Sequence, residues 1–160
     1  MNLSDQLRAP FNPAAIHWRI QTLSGDKSRG LALAYIDARD VMKRLDDVVG
    51  PEGWQDRYTE SAKGRVICEL SININGEWIT KSDGAGDTAV EGEKGGISDA
   101  FKRAAVKWGI GRYLYQLGNT WVAVKPRGRT HEIAENPQLP EWATPDGYWS
   151  RIKKQQEKEA

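Results

Sequence analysis

The sequence predicts an α+β fold: a β-β-β-α core in which an antiparallel meander packs on a long basic helix, preceded by a β-hairpin and a short helix. Three observations predict it. Residues 54–84 hold three β-compatible runs separated by the short Gly-containing turns "AKG" and "ING". After them, Ile97, Phe101, Ala104 and Trp108 recur on one stripe at 100° per residue. Ahead of both, residues 15–36 read as two strands around the loop "GDKSRG".

The elements follow in chain order. Residues 1–10 suit a short helix capped by Ser4 and stopped before Pro10. "AIHWRIQTLS" (15–24) and "LALAYI" (31–36) are the hairpin strands. "DARDVMKRLDDVVG" (37–50) is a helix: Val41, Leu45 and Val48 share a face, Asp37 is the cap, and Gly50 and Pro51 end it. The meander strands are 54–61, 65–73 and 77–84. "GAGDTAVEGEKGG" (84–96) reads as a connector, with Asp83, Asp87 and Glu91 weighed as a cation site that no spacing enforces. The main helix is expected over 98–117, and 120–126 as one more strand. From residue 127 the prolines Pro137, Pro140 and Pro145 interrupt the pattern, so 1–126 is read as the domain and 127–160 as a flexible C-terminal tail.

The chain of 160 residues is long enough to bury a core, and its 39% hydrophobic and 28% charged residues are those of a soluble globular protein. The formal charge is +1, so any attraction for a polyanion must come from local clustering. The single Cys68, in the apolar run "VICEL", reads as a buried small hydrophobe. No run approaches the ~20 apolar residues of a membrane span. "MNLSDQLRAPF" lacks the apolar core of a signal peptide, so a cytoplasmic, reducing location is the expectation.

The positive charge clusters in "KGGISDAFKRAAVKWGIGRYLY" (94–115). Lys102, Arg103, Lys107 and Arg112 stand there with Asp99 as the one acid, four residues before Arg103 and so able to pair with it. Ordinary solvated helices mix both signs. The stripe is assigned to the sheet, and Lys102, Arg103 and Lys107 to faces turned away from it. Gly109 and Gly111 each cost a helix about 1 kcal/mol relative to Ala, which implies a kink or a close approach of another backbone. Among seven tryptophans, most are assigned to packing. Tyr58, Tyr113 and Tyr115 are candidates for stacking on bases, and Trp142 and Trp149 for contacts made by the tail.

Enzyme chemistry is not written into the chain. There is no G-x-x-x-x-G-K-[ST] phosphate loop, no Cys/His zinc set, no acidic-x-Lys pair and no G-x-S-x-G elbow. No catalytic residue, metal or cofactor is predicted.

"YIDARDVMKRLDDVVGPEGW" (35–54), "DGAGD" (83–87) and "KGGISDAFKRAAVKWGIGRYLY" (94–115), in that order and spacing, resemble the homologous-pairing domain of the Rad-fifty-two-type single-strand annealing proteins, over roughly residues 10–120. The resemblance implies subunits that assemble into a ring. Single-stranded DNA would lie in its positive groove and be annealed to a complementary strand without ATP, in recombination or double-strand break repair. By position, Lys102 and Arg103 match the family's groove-lining Lys-Arg pair, and Lys94 an earlier basic position. Two departures stand out. Asp40 and Val106 occupy places where the family often has Arg, with Arg39 and Lys107 next door. Lys63 and Arg65, in and beside the "AKG" turn, complete the candidate DNA contacts. A single-strand binding protein or a recombinase is the partner implied for the tail, and a phage or bacterial host cell the setting. The competing readings are an RNA-binding module, a basic adaptor that meets an acidic partner, and a nuclease with an unrecognised site.

Overall fold

A computed structural model describes residues 1–85 and 92–160, with side chains from residue 96 onward in the second span. Asp87 and Glu91, weighed for a cation, lie outside the described residues, as does the side chain of Lys94.

The elements are α1 (Leu3–Arg8), β1 (His17–Leu23), β2 (Arg29–Tyr35), α2 (Ala38–Val49), β3 (Trp54–Glu60), β4 (Val66–Ile74), β5 (Glu77–Gly84), α3 (Gly92–Lys107), β6 (Thr120–Arg127), β7 (Thr130–Ile133) and α4 (Pro145–Glu159). Short 3-10 turns occupy Pro13–Ala15, Arg112–Gln116 and Glu141–Ala143. The chain divides into two compact units, one of residues 1–8 and 37–112, the other of residues 9–36 and 113–160.

The first unit is the predicted β-β-β-α core. Its sheet runs β3-β4-β5, antiparallel throughout. Asn75 and Gly76 form the two-residue turn between β4 and β5, both with positive φ (53° and 87°), as a hairpin turn matched to strand twist requires. Alternate residues of β4 point to α3, so Cys68, Leu70 and Ile72 are fully buried. α3 meets the sheet through a ridge of small residues, Gly96, Ala100 and Ala104. A Cβ at Gly96 would stand 3.1 Å from Val66. This close approach leaves Ile97, expected on the buried stripe, 51% exposed. Phe101 fills the far side, its ring 5.8 Å from that of Trp54. Trp108 closes the row, and its indole N–H donates to the Leu70 carbonyl at 3.0 Å.

α2 begins at Asp37 as predicted, with Asp40 completing the capping box by accepting from the Asp37 N–H at 3.1 Å. That capping role accounts for an acid at position 40. The cap of α1 is Asn2 rather than Ser4: its side-chain oxygen accepts from the Asp5 N–H at 2.8 Å. Arg44 of α2 donates to the carbonyls of Gln6 and Leu7, covering orphan acceptors at the end of α1.

The second unit is a four-stranded antiparallel sheet in the order β1-β2-β6-β7. Its inner face carries Ile20, Gly30, Ala32 and Val124. Gly30 is required there, because a Cβ would fall 2.9 Å from Val124 and 3.1 Å from Ile20. Residues 127–160, expected as a tail, hold β7 and α4. The prolines mark starts rather than breaks. Pro145 stands in the first turn of α4, and the Thr144 hydroxyl caps it by accepting from the Gly147 N–H at 3.2 Å. Ala143 and Tyr148 are buried, and Trp142 and Trp149 are half-buried rather than free.

No helix among the described residues is long and apolar enough to cross a membrane.

Candidate nucleic-acid interface

One end of the first unit's sheet is shaped by a tight turn. The Ser61 N–H donates to the Arg65 carbonyl at 2.8 Å, the Gly64 N–H to the Ser61 carbonyl at 2.9 Å, and the Arg65 N–H to the Ser61 hydroxyl at 3.1 Å. These bonds hold Lys63 and Arg65 on a short arch between β3 and β4. On the next strand, β5 ends at Gly84, and the Ala85 N–H extends the ladder by donating to the Val66 carbonyl at 2.9 Å. The arch, the end of β5 and the flank of α3 enclose an open groove of about 710 Å³. Lys63, Arg65, Asp83 and Arg103 line it, with Ser61, Ile67 and Ser82 between them. Among the described residues, its lining holds three cations and one carboxylate, in a chain whose net charge is +1.

Arg103 is tied to the groove wall. Its Nε lies 3.7 Å from Asp83 Oδ1 on β5, so its ion pair is made across to the sheet, where the sequence suggested Asp99 along the helix. One turn later, the Lys107 ammonium donates to the Ser82 carbonyl. Both side chains lean over β5, contrary to the expectation that they turn away from the sheet. The reason is the small-residue ridge: Arg103 and Lys107 sit on its β5 flank, and α3 lies close enough for them to reach that strand. Lys102 is 100° further round the helix, half-buried, and outside the lining. Arg39 is exposed on the first turn of α2, also outside it.

Two further cations have roles that sequence reading missed. Arg112 donates through Nε to the Val106 carbonyl at 3.0 Å and through Nη2 to the Lys107 carbonyl at 2.8 Å. It covers the last carbonyls of α3, a basic residue at the negative end of the helix dipole. Gly109 and Gly111, with φ of 95° and 74°, end α3 at Lys107 instead of kinking a longer helix. A Cβ at Gly109 would collide with the side chain of Arg8. Lys81 lies 5.2 Å from the centre of the Trp108 ring, a cation over an aromatic face. Lys81 and Asp83 alternate on β5 and share the α3 side of the sheet, and that period-2 spacing was the available signal.

Behind the groove the titratable groups are structural. The Tyr58 hydroxyl donates to Asp56 at 2.7 Å, and burial, then that bond, push its pKa well above the ordinary phenol value. Burial pushes the Cys68 thiol up to about 11. It is therefore protonated and unreactive near neutrality. Of the stacking candidates, Tyr58 is committed to Asp56. Tyr113 is buried, its hydroxyl accepting from the Phe11 N–H at 3.1 Å. Tyr115 is 73% exposed.

A groove of this kind offers guanidinium and ammonium donors to phosphate oxygens and no fixed pattern of donors for base edges. Such chemistry favours a polyanionic strand irrespective of sequence.

Comparison with known proteins agrees with the ordered motifs. The family described as Rad52/22 family double-strand break repair protein matches residues 1–132. The chain is similar to the protein named single-stranded DNA-binding protein DdrA of Deinococcus deserti, 41% identical over 153 residues that cover 91% of this chain and 73% of the relative. It is similar also to its namesake in Deinococcus radiodurans, 37% identical with 91% and 71% covered. With the β-β-β-α core in place and the match spanning most of its length, the chain belongs to the Rad52/22 family of double-strand break repair proteins.

Proposed function

We propose that the protein binds single-stranded DNA in the groove of the first unit and anneals complementary strands without ATP during double-strand break repair, working as an oligomeric ring. The observation that carries this reading is the convergence of Lys63, Arg65 and Arg103 on one open groove. The DdrA relatives, named for single-stranded DNA binding, support the choice of ligand.

The mechanism needs no reaction centre. Cationic side chains neutralise phosphates and release counterions, which drives binding of any sequence. Contacts confined to the backbone leave the bases free to test a second strand. Pairing is itself downhill, so the protein has only to hold one strand extended and lower the repulsion on approach of the other. In this reading Lys63, Arg65 and Arg103 grip the backbone. Lys107 steadies α3 against β5. Lys102 and Arg39 extend the positive surface beyond the lining, Lys94 is kept as a candidate contact by its place in the sequence alone, and an assembled ring would join the grooves of neighbouring subunits.

Binding of a labelled single strand, titrated with salt, tests the groove. Each phosphate contact contributes about 0.7 to the log–log salt slope for single strands. Lys63→Ala/Arg65→Ala should weaken binding at least tenfold and flatten the slope by about 1.4. An unchanged slope in a folded double variant would move the DNA to another surface.

A further inference from the structure

The four-stranded sheet of the second unit has an outer face that the groove reading leaves unused. The strand register fixes which side chains share it, because directly paired residues of antiparallel strands point the same way. Along β6 the outward residues are Trp121, Ala123, Lys125 and Arg127, and all are exposed. Across the ladder Arg29 pairs with Ala123, and on the far strand Arg19 pairs with Leu33. On the other side Glu132 pairs with Lys125.

Three features of this face stand together. First, it is basic: Arg19, Arg29, Lys125 and Arg127 share the face with one acid on these strands, Glu132. That carboxylate is shared, 3.5 Å from Lys125 and 3.7 Å from Arg127, so it neutralises at most one of them. Second, the same face carries a large aromatic ring opposite Leu31: Trp121 is 41% exposed. Third, the ring is set on a stiff support. The Arg29 guanidinium donates to the Trp121 carbonyl at 2.8 Å, which ties one cation to the backbone that carries the ring. Gly30, packed against Ile20 and Val124, holds β2 closely on its neighbours. Isolated exposed apolar residues are ordinary. An exposed indole on a sheet face that also carries four cations is a combination suited to an unpaired base with its phosphates, through stacking and backbone contacts. A duplex would offer this face phosphates but no free base to stack.

We propose that the outer face of β1-β2-β6-β7 is a second contact surface for single-stranded DNA, with one base stacked on Trp121 and flanking phosphates on Arg19, Arg29 and the Lys125–Arg127 pair. The inference rests on the reading that the protein binds single-stranded DNA, and adds a surface in the second unit to the groove of the first.

Photocrosslinking of the whole wild-type chain to an iodouracil-substituted single strand, mapped by mass spectrometry, tests it directly, with affinity and salt titration of variants beside it. The expected result is crosslinks on the β6 peptide that contains Trp121. Trp121→Ala should weaken binding about fivefold or more, and Trp121→Phe should recover most of it, since the loss is that of one stacked base. Lys125→Ala/Arg127→Ala should flatten the salt slope by up to about 1.4. Crosslinks confined to residues 37–112, with wild-type affinity in Trp121→Ala, would overturn this surface and leave the groove standing. No single-strand binding by the folded wild type would overturn both. If Trp121→Ala does not fold, the crosslink map of the wild type decides alone. A change of oligomeric state in Trp121→Ala, without crosslinks on β6, would make the face a protein contact and also overturn the proposal.

Discussion

Arg103 of α3 and Asp83 of β5 meet at 3.7 Å on the wall of the basic groove, with the Asp83 side chain also accepting from the Gly84 N–H at 2.7 Å. The carboxylate engages the Arg103 guanidinium that, on the proposed function, a phosphate would contact. A ligand must therefore compete with it, and the competition is modest because both partners are partly solvated.

Asp83→Asn keeps the acceptor for Gly84 and removes the charge. Single-strand affinity at low salt should rise about 1.5- to 5-fold, the range an exposed ion pair of ~0.2–1 kcal/mol commands. Fluorescence anisotropy at two salt concentrations measures it. Weaker binding would show that Asp83 serves to aim Arg103 rather than to compete for it.

Gly109→Ala should destabilise the fold by about 1–3 kcal/mol, because φ is 95° and the new methyl meets the Arg8 side chain. Gly76→Ala is the control: its φ is 87°, yet nothing lies within 4 Å of the added methyl. Chemical unfolding should find Gly109→Ala the costlier change. Equal losses would mean that Arg8 swings aside freely.

Cys68 predicts an alkaline limit. Its folded pKa is raised to about 11 from an ordinary 9.0, so between those values the unfolded chain has lost the proton that the folded chain retains. Stability contributed by the buried thiol is complete below pH 9 and is lost as pH climbs to 11, on the order of 2 kcal/mol. Tyr58, raised in the same direction, adds to the loss above its unfolded value of 10.0. Unfolding free energies from pH 8 upward should fall for the wild type. In Cys68→Ala the fall should be shallower between 9 and 10 and set in with Tyr58. Identical slopes would remove Cys68 as the cause.

Much of the architecture was legible because the signals were local. The Asn75–Gly76 turn, the alternation of β4 and the Asp37 cap each state their element within a few residues. The end of α3 is hard to place from spacing because Gly109 and Gly111, costly inside a helix, here supply positive φ at its end. In the C-terminal segment Pro145 stands one residue after a capping Thr144, and that pair starts α4 where the prolines alone suggest interruption. Within the groove, the cationic cluster was visible, but its members were not sorted. Lys102 and Arg103 are neighbours in sequence and 100° apart on the helix, so only one lines the groove. That Asp83, not Asp99, pairs with Arg103 depends on how closely Gly96 and Ala104 let α3 approach β5, a distance no spacing rule contains.

On the proposed function, the groove cations promote pairing of complementary strands. The direct measurement is annealing of two complementary labelled oligonucleotides without ATP, comparing the wild type with Lys63→Ala/Arg65→Ala/Arg103→Ala at matched salt and matched oligomeric state. The wild type should accelerate annealing, and the triple variant should lose at least tenfold of that rate. No acceleration by a folded wild type that binds single strands would contradict it.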